Sequence, residues 1–92
     1  MTGHLIVRAE ERDAYLAGCR VVVEAGRTAR GCLDFALSPD LVDASRINIL
    51  ERWESRAAVE AFRGGGVGED QSTMIVSGSV IECDVSDVRV LW

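Results

Sequence analysis

Lysine is absent from this chain of 92 residues, and all ten basic residues are arginine. Without a lysine amine, the protein cannot form a Schiff base, anchor pyridoxal phosphate or build the phosphate-binding loop of P-loop nucleotide-binding proteins. Histidine is nearly as scarce, since His4 is the only one. Its place at the start of a predicted strand favours an exposed edge residue over a metal ligand or a general base. These absences remove several large classes of enzyme before any motif is considered.

Cysteine is present but sparse and widely spaced. The three residues, Cys19, Cys32 and Cys83, form no CxxC pair, which excludes the usual zinc-site spacing and a disulfide framework. Such a set is typical of buried thiols in a reducing compartment. No apolar run reaches the length of a membrane span, and no cleavable signal precedes the first strand. The chain is therefore expected to be a soluble cytoplasmic protein with no metal site.

Charge and size indicate which partners to expect. The formal net charge is −5 and the acidic residues are spread along the chain, which argues against binding to nucleic acid or to an anionic membrane surface. With 92 residues and 48% hydrophobic composition, the chain is predicted to form a single domain over residues 1–92. A core of this size is marginal alone, so association with a second chain is expected.

Two stretches in which apolar side chains alternate with period two predict the central strands of a sheet. The first, at residues 31–37, places three side chains on one face: Leu33, Phe35 and Leu37. The second, at residues 46–53, places four side chains on one face: Ile47, Ile49, Glu51 and Trp53. Ser55 is a suitable N-cap for a following helix. That helix is predicted to end at a glycine-rich loop, residues 64–68.

A longer helix is predicted over residues 10–29, after a first strand at residues 4–9. Its apolar face carries small residues apart from Tyr15. Gly18 and Gly26 are placed on that face, and each lowers helix stability by roughly 1 kcal/mol relative to alanine. Two benefits would offset this cost: a close approach of the helix to the sheet, or room for a ligand beneath the helix. Both explanations stay open at this point.

The end of the chain is predicted to contain a helical turn at residues 71–77 and a last strand within residues 80–92, broken near Ser86. The apolar Trp92 is expected to pack on the domain or on a partner chain. The resulting order, β-α-β-β-α-β, predicts an α+β ferredoxin-like fold with a four-stranded antiparallel sheet and both helices on one face. The other face would be covered by the sheet of a second chain.

Three motifs carry a resemblance to a known family: GCLDF at residues 31–35, ERWES at 51–55 and AAVEAF at 57–62. They resemble the antibiotic biosynthesis monooxygenase (ABM) domain, over nearly the whole chain. The resemblance implies a homodimer whose sheets form a dimeric α/β barrel. It also implies a cofactor-independent monooxygenase that acts on a quinol, an anthrone or another polyketide-type aromatic. In such an enzyme an electron-rich phenolate reduces oxygen directly, and the protein binds, deprotonates and shields it.

Two positions depart from the family pattern. Many members carry a histidine at the end of the helix after the tryptophan, whereas this helix ends in FRG at residues 62–64. Anthrone-oxidising members carry an asparagine four residues before the tryptophan, but Ile49 occupies that position here. Asn48 lies five residues before Trp53, and an odd spacing places the two on opposite faces of a strand. The missing histidine removes the usual general base and the candidate haem ligand.

The predicted site joins these motifs to the apolar face of the first helix. Glu51 and Trp53 are the predicted catalytic residues. The predicted substrate-binding residues are Tyr15, Ile49, Phe62 and Asn48. A buried Glu51 would serve as a general base, whereas a Glu51 paired with an arginine would be structural. No cofactor or metal is expected, and the ligand would be a small aromatic molecule. The alternative is a non-catalytic dimeric protein that binds a small ligand and has lost the family histidine.

Overall fold

The computed structural model describes residues 1–64 and 72–92, which form an α+β fold in the predicted order. The strands are β1 (Thr2–Val7), β2 (Cys32–Pro39), β3 (Arg46–Trp53) and β4 (Ile75–Ile81). The helices are α1 (Arg12–Thr28) and α2 (Arg56–Gly64), and 3-10 turns occur at Ala9–Glu11 and Ser72–Met74. Within these two ranges, no helix is long and apolar enough to cross a membrane.

The strands form one sheet in the order β2-β3-β1-β4, and each neighbouring pair is antiparallel. This order confirms the predicted ferredoxin-like fold. Alternation along β3 gives the sheet two different sides. Ile47 and Glu51 are buried on the side that faces the helices, here called the inner face. Leu50 is exposed on the helix-free side, the outer face.

The core lies between the inner face and α1. Its buried cluster joins two helical residues to two strand residues: Tyr15 and Cys19 with Val7 and Ile47. Tyr15 and Cys19 are four residues apart, so both side chains project from the same stripe of α1. Burying an apolar side chain of this size stabilises the fold by roughly 1.5–3 kcal/mol. The cluster therefore fixes α1 over the sheet.

A glycine in α1 allows this close packing. Gly26 is buried, and a Cβ atom at that position would lie 2.6 Å from the Phe35 ring. The absence of a side chain lets the helix approach the sheet there. For Gly26, close approach is therefore the explanation, rather than room for a ligand. Gly18 is exposed, so its predicted place on the buried face is wrong. It directly precedes Cys19, and a step of one residue turns the side chain by about 100° around the helix.

Strand β2 departs from the predicted alternation at one residue. The register with β3 shifts between Cys32 and Asp34, which leaves Leu33 as an extra residue. Leu33 is 58% exposed, whereas Phe35 is 3% exposed. The prediction that Leu33 shares the face of Phe35 is therefore wrong, because a bulge inserts one residue and changes the direction of its side chain.

The last strand begins earlier and ends sooner than predicted. Residues 75–77, predicted as part of a helical turn, belong to β4, and only Ser72–Met74 is helical. Residues 82–92, predicted as strand, have no regular structure and are exposed, including Trp92 at their end. Trp92 thus does not pack on its own domain. The predicted glycine-rich loop falls largely on residues 65–68, outside the described residues.

Candidate functional site

A cavity of about 700 Å³ lies between the helices and the inner face of the sheet. It is lined largely by apolar side chains, with a few polar ones, a composition that is typical of small-molecule sites. The structure brings four of the predicted site residues to its wall: Tyr15, Ile49, Glu51 and Phe62. They come from α1, β3 and α2, so the cavity forms only when these elements pack together.

Glu51 is the buried acid of this cavity, with a side chain only 8% exposed. Strand β3 directs it inward, opposite Phe35 on β2. Its Oε1 accepts a hydrogen bond of 3.1 Å from the indole Nε1 of Trp53. The Arg63 Nη2 lies 3.2 Å from Oε2 and 3.3 Å from Oε1. A buried carboxylate needs such donors, because an unpaired charge in an apolar site is strongly unfavourable.

Arg63 supplies the positive charge from the last turn of α2. Its side chain is 54% exposed, so solvent reaches this end of the cavity and weakens the ion pair relative to a fully buried one. Both conditions set out for Glu51 are therefore met together: the carboxylate is buried, and it is paired with an arginine. The pair has two chemical uses, as a proton acceptor beside a cation or as a structural link between β3 and α2.

Trp53 contributes from behind the cavity wall. Its ring lies 5.2 Å from that of Phe62 and 6.4 Å from that of Phe35, measured between centroids, and the latter pair is edge-to-face. Phe35 and Phe62 are also edge-to-face at 5.8 Å. Such contacts add roughly 0.5–1.5 kcal/mol each beyond the area they bury. Trp53 lines a neighbouring cavity of about 540 Å³ instead. It contacts the first cavity indirectly, through the lining residues Glu51, Phe35 and Phe62.

Asn48 lies on the outer face, away from this cavity. Its Nδ2 donates to Asp40 Oδ1 at 2.9 Å, and its Oδ1 accepts from Arg46 Nε at 2.7 Å. The extra residue of the β2–β3 pair lies on β2, so β3 keeps regular alternation and the odd spacing from Asn48 to Trp53 keeps them apart. The structure therefore does not bring Asn48 together with the other site residues.

The Asn48 contact helps to hold the turn between β2 and β3. Asp40 also accepts hydrogen bonds from the backbone N–H groups of Val42 and Asp43. The hydrogen bond from Asn48, followed by those from the backbone, lowers the pKa of Asp40 to about 2. Hydrogen bonds to the charged form of a carboxylate favour ionisation in this way. These polar residues therefore order a loop.

The cysteines differ in their surroundings. Cys19 is buried in the cavity wall beside Tyr15, and burial raises the pKa of its thiol. Cys32 is half-buried, and Cys83 is exposed in the irregular segment 82–92. The prediction of three buried thiols is thus right for Cys19 and wrong for the half-buried Cys32 and the exposed Cys83. Within residues 1–64 and 72–92, no three His, Cys, Asp or Glu side chains are arranged to hold a metal ion.

Arg63 is the site residue that sequence reasoning missed. It entered the prediction only as part of the helix end that lacks the family histidine. A signal for it was present, because Arg63 lies four residues after the buried Val59. Residues four apart share one stripe of a helix. An arginine on the buried stripe of α2, facing a strand that carries an inward glutamate, predicts the ion pair.

Comparisons with known proteins agree with this architecture. The family model for antibiotic biosynthesis monooxygenase matches residues 2–66. The structure is similar to PA3566 from Pseudomonas aeruginosa, with a TM-score of 0.69 and 19% identity over 85% of this chain and 83% of that chain. It is also similar to Rv0793 from Mycobacterium tuberculosis, with a TM-score of 0.68 and 18% identity over 94% and 95%.

A candidate antibiotic biosynthesis monooxygenase from Nitrosomonas europaea has a TM-score of 0.64 and 17% identity, over 68% of this chain and 66% of that chain. A search of curated proteins finds no match. At these identities the structural likeness shows the fold alone. The sequence match of the family model covers more than half of the chain, and the protein therefore belongs to the antibiotic biosynthesis monooxygenase family.

Proposed function

We propose that this protein is a cofactor-independent monooxygenase that oxidises a quinol, an anthrone or a related polyketide-type aromatic. The observation that carries the proposal is the buried carboxylate of Glu51, in the wall of an otherwise largely apolar cavity. A carboxylate in such a place is suited to remove a proton from a bound phenol or from an acidic methylene group. Family membership supports the reaction class, and the residue roles are our proposal.

In the proposed reaction, the aromatic ring lies against Tyr15, Ile49 and Phe62, and Glu51 accepts its acidic proton. The resulting anion is electron-rich and reduces oxygen directly. For an anthrone, the methylene carbon becomes a carbonyl, one oxygen atom enters that carbonyl, and the other leaves as water. All four electrons come from the substrate, so the balance needs no cofactor. The apolar wall shields the ring from water, while solvent reaches the Arg63 end of the cavity.

Trp53 acts in this proposal as a positioning residue. Its indole N–H holds one oxygen of Glu51, which fixes the carboxylate against the cavity wall. We expect Trp53→Phe to lower the rate less than Glu51→Gln does, because the proton acceptor remains. Asn48 has no part in the proposed reaction, since its amide is engaged by Asp40 and Arg46 on the outer face.

The test is oxygen uptake by metal-free protein supplied with an anthrone or a dihydroxyaromatic compound. We expect uptake well above the autoxidation blank, and we expect heat-denatured protein to lose it. Absence of uptake across several such compounds would reject the oxygenase. Glu51→Gln should lower the rate strongly, and Glu24→Gln is its matched control because Glu24 pairs with Arg20 on the exposed side of α1.

A second candidate is a non-catalytic protein that binds a small aromatic ligand in the same cavity. The ion pair between Glu51 and Arg63 favours it, because a carboxylate already neutralised by an arginine needs no catalytic role. This candidate predicts a rise in thermal midpoint with aromatic ligands and no oxygen consumption. The two candidates are therefore separated by the same set of compounds.

We further propose that two copies of the chain pair through their outer faces, as the resemblance implies. One row across that face is largely apolar and includes Ala36, Leu50 and Ile81, on β2, β3 and β4. Leu50 is 41% exposed and Ile81 is 55% exposed in the single chain. Apolar side chains of this kind, grouped on one sheet face, are favourable to bury against a second copy.

We place the protein in the cytoplasm in this proposal. The half-buried Cys32 and the exposed Cys83 are thiols, and an exposed thiol is best kept in a reducing compartment. The net charge of −5 supports neither a nucleic acid nor an anionic membrane as a partner. The proposed partners are thus a second copy and a small aromatic ligand.

A further inference from the structure

We propose that Arg63 is a second catalytic residue, which leaves the Glu51 carboxylate and binds the phenolate oxygen of the substrate as Glu51 takes the proton. The inference rests on the proposed function, because it describes how the same cavity would ionise a phenol. It also assigns the charge of the substrate: the phenol enters neutral and becomes an anion only inside the cavity.

The geometry gives the two partners unequal freedom. Glu51 is 8% exposed, extends from the centre of a sheet and is held by the Trp53 indole. Arg63 is 54% exposed and comes from the last turn of α2. One nitrogen, Nη2, makes both contacts to the carboxylate, and a guanidinium has further N–H donors in its fork. Arg63 is therefore the partner that can turn to a ligand while Glu51 stays in place.

The charges around the cavity favour a neutral ligand on entry. Among the described residues that line it, three carboxylates outnumber two cations: Glu51, Glu60 and Glu82 against Arg63 and the amino terminus of Met1. An anion approaching this wall would be repelled, since like charges in a partly desolvated site are costly. A neutral phenol brings no charge with it. The anion that forms later finds Arg63, the cation that is paired with the Glu51 carboxylate.

The proton transfer is balanced within the pair. The phenol O–H bond breaks, an O–H bond forms on Glu51, and the phenolate replaces the carboxylate as the anion beside Arg63. The net charge of the site is unchanged. Each movement favours the other: a cation stabilises the phenolate, and a carboxylate that loses its cation binds a proton more readily. The exchange therefore couples substrate ionisation to the activation of Glu51.

The test uses 4-nitrophenol, which oxygen does not oxidise and whose ionised form has its own absorbance band. The pH at which the bound probe ionises is measured for the full chain and for Arg63→Gln, Arg63→Lys and Glu51→Gln. Apart from the substitution, the titratable groups of the described residues that line the cavity are the same in every sample. They are the amino terminus of Met1 and the side chains of Tyr15, Cys19, Glu51, Glu60, Arg63 and Glu82. Far-UV circular dichroism checks that each variant is folded.

The expected result is a pair of opposite shifts. Arg63→Gln should make ionisation of the bound probe harder by about tenfold or more, because a charge-assisted hydrogen bond is lost. Glu51→Gln should make it easier, since Arg63 no longer has a competing carboxylate. Arg63→Lys keeps the charge and should stay near the wild type. If Arg63→Gln does not fold, Glu51→Gln still tests the proposal, because a shift that is absent or towards harder ionisation would reject the exchange. Shifts that are absent or in the same direction would overturn the proposal, as would a wild type that does not bind the probe.

Neutral entry has its own control. 4-Nitrobenzoate matches the probe in size but is already an anion, so we expect it to bind more weakly than 4-nitrophenol in its neutral form. Equal or tighter binding of the benzoate would contradict this part of the proposal. The probe result is independent of oxygen uptake. Opposite shifts without oxygen uptake would support the exchange and reject the oxygenase. Oxygen uptake without such shifts would support the oxygenase and reject the exchange.

Discussion

The two faces of β3 place polar side chains in opposite settings. Glu51, on the inner face, is buried in a largely apolar cavity and held by Trp53 and Arg63. Asn48, three residues earlier on the outer face, joins Asp40 in fixing an exposed turn. Both residues were candidates from the sequence, and both are hydrogen-bonded. The face of the sheet on which a polar residue lies, rather than its polarity, therefore decides whether it can contact a ligand in the cavity.

The largest expected effect concerns the outer face. Leu50→Asp should convert the proposed dimer into a monomer, because it places a charge in the apolar row that the second copy would cover. Leu41→Asp is the matched control, since Leu41 is fully exposed in the turn. The measurement is mass by light scattering over a range of concentrations. A Leu50→Asp variant that keeps the dimeric mass would remove the outer face as the interface.

A glycine pair compares the two sides of α1. Gly26→Ala should destabilise the fold by about 1–3 kcal/mol, because the added methyl would overlap the Phe35 ring. Gly18→Ala, on the exposed side, should stabilise it by about 0.5–1 kcal/mol through helix propensity. Urea unfolding followed by circular dichroism measures both. Equal effects of the two substitutions would contradict the close approach of α1 to the sheet.

A pair of arginines compares the buried and exposed ion pairs. Arg63→Gln should lower the free energy of unfolding by about 1–2 kcal/mol, since it leaves the buried Glu51 without a cation, although solvent access to Arg63 limits the loss. Arg20→Gln breaks an exposed pair with Glu24 and should cost less than about 0.5 kcal/mol. A larger effect at Arg20 than at Arg63 would argue against the importance of the cavity pair.

The smallest effect concerns the pH dependence of stability at the turn between β2 and β3, which Asn48 on the outer face helps to hold. The ordinary pKa of Asp40, 3.8, is lowered to about 2 in the folded protein. A lowered pKa means that its contribution to stability is present above the unfolded value and is lost as pH falls towards 2. Asp40→Asn should therefore lower the thermal midpoint near neutral pH, with a gap that narrows in acid. Asp87→Asn, in the exposed segment, should show no such gap. A constant gap would exclude this origin.

Alternation alone was sufficient to predict which side chains of β3 lie on the inner face, and to place Phe35 of β2 there. In a half-buried strand, every second residue is buried and apolar. Alternation failed at Leu33, where a bulge adds a residue, and at β4, where Ser77, Gly78 and Ser79 carry no apolar alternation. That strand is specified by backbone pairing with β1 instead. Backbone pairing does not require a particular pattern of side chains, so the earlier start of β4 could not be predicted from the sequence.

The sequence predicted which side chains face the cavity, but it did not predict which of them are paired with each other. Four predicted site residues line one cavity because each lies on the inward side of its helix or strand, which periodicity predicts: Tyr15, Ile49, Glu51 and Phe62. The Glu51–Arg63 pair joins residues twelve apart across a strand, a turn and a helix. Its distance depends on how α2 crosses the sheet, which local periodicity does not determine. The catalytic roles of these residues stay predictions.

The most direct test of the central claim is oxygen uptake by metal-free protein with an anthrone, measured together with product formation. If Glu51 is the base of a cofactor-independent monooxygenase, one oxygen molecule is consumed for each carbonyl formed. Glu51→Gln then lowers the rate by at least about a hundredfold, in line with the loss of a general base, and Glu24→Gln leaves it unchanged. Uptake that Glu51→Gln does not reduce, or no uptake beyond the blank, would contradict the account.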